Sequence, residues 1–166
     1  MKFTAPEEYG LRCILQIARR GPSGSVTIPE LAQLESLSPA YVAKLMRILR
    51  KAALLESIRG QKGGYQLARP AKDISVAEVL TALGGHLYSQ DFCSTHSGSG
   101  ASCVHLGDCS IRSVLSGVER LVQNVLVQCK LTDLLRTEQS MAVWVQGRVD
   151  SAPLPAGIES RTRMDG

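Results

Sequence analysis

Apolar residues recur at helical spacing over three stretches of the first fifty residues. Leu11, Ile14, Leu15 and Ala18 form the first set, after Thr4 and Pro6 and with Glu7 and Glu8 in the first turn, where a preset φ and negative charge suit a helix start. The turn cluster GPSGS closes that helix near Arg20. Thr27 with Glu30 three residues on has capping-box spacing and opens a short helix, IPELAQLES, which is expected to turn Leu31, Ala32 and Leu34 inward. Ser38 followed by Pro39 starts a third helix whose Val42, Leu45, Met46 and Leu49 make a buried stripe, with Lys44, Arg47, Arg50 and Lys51 elsewhere on the cylinder. LLESI and YQLA then read as two short strands joined by RGQKGG, whose glycines permit a tight hairpin.

Past the hairpin, Asp73 and Ser75 offer caps for a short helix, VAEVLTAL, stopped by Gly84 and Gly85. Periodicity vanishes from Tyr88 to about Cys109, a polar loop of about 20 residues, a length that usually signals function or disorder. From Ser110 the helical period returns through Ile111, Val114, Leu115, Val118, Leu121, Val122, Val125 and Cys129, and is expected to persist to Arg136. Such a helix spans roughly 40 Å, more than the small amino-terminal unit can cover, so a second copy of the chain is the economical partner for its stripe.

The pattern divides the chain into a winged helix-turn-helix unit over 1–72, a connecting helix over 73–87, a cysteine loop over 88–109, a dimerisation helix over 110–136 and a tail without fixed structure over 137–166. The predicted fold is mainly α: a winged helix-turn-helix domain with a two-stranded wing plus a long dimerisation helix.

Charge sharpens this picture. Residues 1–72 carry 12 Lys and Arg against 5 Asp and Glu, whereas the remainder carries 7 against 10, so the net charge of +4 conceals a basic first half. Concentrated positive charge is the footprint of nucleic-acid binding, because neutralised phosphates release counterions. The amino-terminal part of the second helix of such a motif reaches base edges in the major groove. Ser38, Tyr41 and Lys44 hold those places, Arg47, Arg50 and Lys51 suit the phosphate backbone, and Arg59 and Lys62 lie on the wing, where an arginine on a Gly-flanked loop suits a narrow minor groove. The expected partners are a double-stranded DNA operator and a second copy of the chain, with neither a membrane nor a small-molecule substrate. No apolar run approaches membrane-span length, and Glu7 and Glu8 precede any apolar stretch, so no secretory signal is read and the cytoplasm is the expected compartment.

Five cysteines are an odd number for a disulfide framework. Cys13 and Cys129 sit on apolar helical faces and read as small core residues. Cys93, Cys103 and Cys109, with nine and then five residues between them, are candidate metal ligands. Zinc sites usually include a pair spaced by two to four residues, which is missing here, so the spacing leans toward an iron-sulfur cluster. His96, His105 and a carboxylate from elsewhere in a dimer are the candidates for a fourth ligand. Without a CxxC pair, nucleotide-binding glycines, catalytic triad or HExxH, an enzyme is not expected.

The opening MKFTAPEEYGLRCILQIA, the helix SPAYVAKLMRILRKAALLES, the wing RGQKGGYQLARP, the segment ISVAEVLTALGG and three cysteines before a long helix resemble, over roughly residues 1–136, the iron-sulfur-sensing winged-helix transcriptional regulators typified by IscR and NsrR. That resemblance implies a homodimeric repressor whose long helices cross and whose cluster responds to redox state, nitric oxide or iron-sulfur status. It implies Cys93, Cys103 and Cys109 as cluster ligands and Arg59 as a minor-groove reader. Where one branch has a histidine ligand this chain has Arg112. Where other branches donate an acidic residue from the partner's first helix it has Glu8, with Glu7 beside it. An acidic base contact known in the family falls on Ala43. The cluster is [2Fe-2S] or [4Fe-4S], and the alternative is a zinc-structured or cluster-free thiol-based winged-helix regulator.

Overall fold

A computed structural model of the chain describes residues 3–60, 63–86, 88, 92–97, 99–100, 103–105 and 107–150. Helix α1 spans Ala5–Arg19, α2 Ile28–Glu35 and α3 Pro39–Lys51. Each start follows local chemistry. The Thr4 amide donates to the Glu7 carboxylate at 3.0 Å. Thr27 and Glu30 satisfy each other's amides at 2.8 and 3.3 Å, and the Ser38 hydroxyl accepts from the Tyr41 amide at 3.2 Å.

Ile14 and Ile17 of α1, Leu31 of α2, and Val42, Leu45, Met46 and Leu49 of α3 are fully buried in one cluster with Val26, Ile74 and Leu131. Burying each such side chain contributes roughly 1.5 to 3 kcal/mol. Leu34, expected inward, is instead 50% exposed. The inward face of α2 is made by Leu31, Ala32 and Glu35, and at 3.6 residues per turn Leu34 falls about 100° from its centre. A carboxylate, Glu35, takes the place a leucine was expected to hold.

Strands β1, Leu55–Ile58, and β2, Gly64–Leu67, pair antiparallel with Leu55 opposite Leu67 and Ile58 opposite Gly64. Val26 and Tyr65 exchange backbone hydrogen bonds at 3.0 and 2.9 Å, which ties the hairpin to the segment leading into α2. Gly64 is required there, since a Cβ would lie 2.7 Å from the Val26 carbonyl oxygen.

Helix α4, Val76–Ala82, is capped by Ser75, while Asp73 lies in a preceding 3-10 turn. The carboxylate of Glu78 accepts from the Ser75 amide at 2.8 Å and from Arg69 at 2.8 Å, and these bonds, the first above all, hold its carboxyl down at about 2. The folded-state value is depressed, so this stabilisation is present above the ordinary glutamate range and is lost as pH falls from there toward 2. The side chain is 42% exposed, and solvent screening reduces the contribution to about 1 kcal/mol. Glu78→Gln is therefore expected to unfold at lower urea than the parent near neutral pH, and the gap should close near the acid end of that window. A gap independent of pH would contradict this assignment.

The carboxy-terminal third departs from the sequence pattern. A single turn, α5, Phe92–Thr95, interrupts the cysteine loop. Helix α6 spans Ser110–Gln128, so the helix expected over 110–136 stops eight residues early. Cys129 turns extended, and the chain pairs with the residues before α4 through Val76 N–H to Cys129 O at 2.8 Å and Leu131 N–H to Ile74 O at 3.0 Å. That bridge buries Cys129 and Leu131, a gain that continuing the helix would forfeit. Residues 138–150, expected within a structureless tail, form helix α7, Glu138–Asp150, preceded by Thr137, whose hydroxyl accepts from the Ser140 amide at 3.3 Å. Met141 and Trp144 dock it on Val76, Leu80 and Cys129. The rest of the expected tail, 151–166, lies outside the described residues.

Candidate nucleic-acid interface and cysteine loop

Helix α3 presents the proposed reading surface. Ser38, Lys44, Arg47, Arg50 and Lys51 are exposed and Tyr41 is half-buried, while the opposite face of the same helix fills the core. The Ser38 oxygen is occupied as a helix cap but its hydroxyl proton remains available to a phosphate. Arg59 is exposed where β1 ends, next to Gly60 at φ 106, a backbone conformation that glycine adopts without strain. Lys62 lies outside the described residues. Ala43, half-buried between Lys44 and Val42, leaves no polar group where the family resemblance put an acidic contact.

Sequence reasoning missed a polar cluster behind this surface. Arg12 Nε donates to the Glu35 carboxylate at 2.6 Å and Gln16 Nε2 donates to its other oxygen at 2.6 Å, which satisfies a carboxylate only 6% exposed. Arg12 also lies 3.7 Å from the Glu8 carboxylate and 5.3 Å from the centre of the Tyr9 ring, and Tyr9 meets Tyr41 edge-on at 6.1 Å. Arg12 and Gln16 carry a legible signal, since polar residues at i and i+4 of a helix share one face. Their partner on α2 is visible only in three dimensions.

The five cysteines are all unpaired thiols and separate into two kinds. Burial pushes Cys13 and Cys129 up to about 11, which keeps both neutral. Cys93, Cys103 and Cys109 are half-exposed. Cys93 lies on α5 with the Tyr88 hydroxyl 3.4 Å from its sulfur, a contact that raises the Tyr88 phenol above its ordinary value. Cys109 caps α6, its sulfur accepting from the Arg112 amide at 3.4 Å.

Among the described residues no three His, Cys, Asp or Glu side chains gather into a metal-binding set. The donor chemistry of Cys93, Cys103 and Cys109 nonetheless fits an iron-sulfur cluster, three accessible soft donors close in sequence. Glu8 is exposed, with a side chain 64% accessible, whereas Glu7 is buried and engaged in the α1 cap. His96 and His105 are both exposed, the former within 3.0 Å of Thr95 Oγ1.

Three helices, a two-stranded wing and a basic outer face on the third helix define a winged helix-turn-helix transcription regulator. Residues 3–137 match the Rrf2 family, described as iron-dependent transcriptional regulators, and the chain belongs to that family. It is 35% identical over 136 residues to protein rrf2 of Nitratidesulfovibrio vulgaris, covering 82% of this chain and 88% of that protein. Among solved structures, T. potens IscR superimposes with a TM-score of 0.62 at 30% identity, covering 81% of this chain and 86% of that one. CymR, the global cysteine regulator of B. subtilis, does so at 0.61 with 25% identity, covering 81% and 95%. The family and these relatives are transcriptional regulators, not enzymes. Among the described residues no helix is long and apolar enough to cross a membrane.

Proposed function

We propose that the protein is a homodimeric repressor whose affinity for operator DNA is set by an iron-sulfur cluster held by Cys93, Cys103 and Cys109, with Glu8 of the partner subunit as the fourth ligand. The observation that carries this reading is the division of the cysteines: three half-exposed thiols on the segment leading into α6, against two buried ones elsewhere. A bound cluster would supply a group whose charge and ligation change with oxidation or nitrosylation. The chain's own residues do the rest. Glu8 lies one helical turn before Arg12, so fixing Glu8 against a neighbouring subunit would fix α1, and with it the packing of α2 and α3. The spacing of two α3 helices must match half-sites one helical turn or a multiple apart, so a shift of α1 alters operator fit.

Anaerobic purification followed by absorption spectroscopy and assays for iron and acid-labile sulfide tests this directly. A brown protein with both elements is expected; a colourless protein with one zinc per chain, or with no metal, overturns it. The likeness to CymR, together with the Tyr88 and amide contacts on Cys93 and Cys109, supports the second reading, a cluster-free thiol regulator, which the metal-free outcome would favour.

The wing gives a separate expectation. Arg59→Ala is expected to weaken binding to the preferred duplex by about 1 to 3 kcal/mol, as loss of a groove contact should, with thermal stability unchanged because the side chain is exposed. Lys51→Ala should instead lower affinity for all sequences and reduce the salt slope by about one. Fluorescence anisotropy over a salt series separates the two, and unchanged specific binding in Arg59→Ala would remove the wing from the interface.

A further inference from the structure

We propose that Arg12, together with Tyr9, positions Tyr41 for reading DNA, so that operator discrimination depends on a guanidinium on the first helix. The inference rests on the reading of Tyr41 as a DNA contact and extends it to residues that act through Tyr41.

Glu35 ends α2 and immediately precedes Ser36, whose φ of 55 makes the left-handed turn between the two helices of the motif. A carboxylate at a helix carboxy terminus opposes the helix dipole, and burying it costs more, so the turn keeps its geometry only while that charge is matched. Arg12 supplies the match, donating from Nε to the carboxylate at 2.6 Å and from Nη2 to the Glu35 carbonyl at 3.4 Å, one of the acceptors left open where a helix ends. The same planar guanidinium lies over the face of Tyr9, 5.3 Å from the ring centre. The Tyr9 ring stands at 84° to that of Tyr41, centroids 6.1 Å apart, in the edge-on arrangement that aromatic pairs favour.

Tyr41 lies in the first turn of α3, where side chains reach base edges. One guanidinium therefore holds the end of α2 on one side and, through Tyr9, the reading end of α3 on the other. A lysine lacks the fork that spans the Glu35 carboxylate and carbonyl, and carries its charge on a single ammonium rather than spread over a plane.

The test uses the full chain, prepared identically for every variant. Two probes serve: a duplex enriched by the parent protein from a random-sequence pool, and a scrambled duplex of the same composition. Arg12→Ala alone leaves a buried charge unmatched and threatens the fold, so the informative variant is Arg12→Leu with Glu35→Leu, which removes both charges and keeps apolar volume. Tyr41→Ala is measured in the parent and in this double variant.

The expected result is a parent-like melting temperature for the double variant, about a tenfold loss on the enriched duplex, and unchanged binding to the scrambled one, so that the ratio of the two affinities falls. Adding Tyr41→Ala to the double variant should cause little further loss, because the two changes remove one shared contribution. Equal losses on both duplexes, an unchanged ratio, or a Tyr41→Ala effect that adds in full would overturn the proposal. If Tyr41→Ala in the parent leaves the ratio unchanged, the reading of Tyr41 itself fails and the inference falls with it. If it lowers the ratio while the double variant does not, the inference alone fails.

Discussion

Val118→Asp is expected to convert the protein to a monomer and to weaken operator binding by a factor of roughly 10² to 10⁴, the range lost when two linked binding events become one. No residue of helix α6 is fully buried within the chain, and its packing on α4 runs through Leu126 near its end. Ile111, Val114, Leu115, Val118 and Leu121 are between 38% and 67% exposed, yet they step by three and four along one face. Placing a charge in the middle of that stripe makes any partner bury it, which costs several kcal/mol, and a two-fold axis sets two such charges near one another. Val118 contributes nothing to the buried core of the amino-terminal unit, so circular dichroism and the melting of that unit should stay near those of the parent. Light scattering at micromolar concentration decides the matter, and a variant that keeps the mass of a dimer would exclude this face as the interface.

The second large effect concerns Glu8. In Glu8→Ala the visible spectrum of the anaerobic protein is expected to shift, and operator affinity should no longer differ between oxidised and reduced samples. A carboxylate is a harder ligand than a thiolate and holds cluster iron less tightly, which makes a single such bond the natural weak link. Glu8 is exposed and among the described residues is ion-paired with Arg12 at 3.7 Å, so its removal is expected to leave the fold intact. Glu7→Ala separates the two neighbours, because losing its capping bond to the Thr4 amide should cost about 1 kcal/mol of stability with no specific effect on the cluster. His96→Ala and His105→Ala should behave as the parent. Should His105→Ala reproduce the loss while Glu8→Ala does not, ligation lies within one loop, and signalling through the partner's first helix must be abandoned.

The first three helices were legible because their signals are local. Thr4, Thr27 and Ser38 each sit one residue before a helix whose apolar spacing already marks it, and all four stripe residues of α3 are fully buried. The exposed basic residues of α3 follow from the same period, since a helix that buries one face must show the other. Leu34 shows the limit of that reasoning in a two-turn helix, where Glu35 could be placed inward only because Arg12 and Gln16 reach it from α1, residues 23 and 19 positions away. The three cysteines were legible as soft donors grouped in sequence, whereas their geometry was not, and among the described residues no three potential ligands gather into a metal-binding set.

Periods and caps within a few residues are enough to set the winged helix-turn-helix unit, its basic face and the separation of loop cysteines from core cysteines. The tertiary structure alone decided where α6 ends and that 138–150 is helical. Apolar spacing runs smoothly through Cys129, but the backbone leaves the helix there to pair with the residues before α4 and to bury Leu131 against Ile74. Helix α7 shows no strong apolar face of its own and is held by Met141 and Trp144 against α4 and the end of α6. Both outcomes depend on surfaces that exist only once the amino-terminal unit has folded, which is why no local period could announce them.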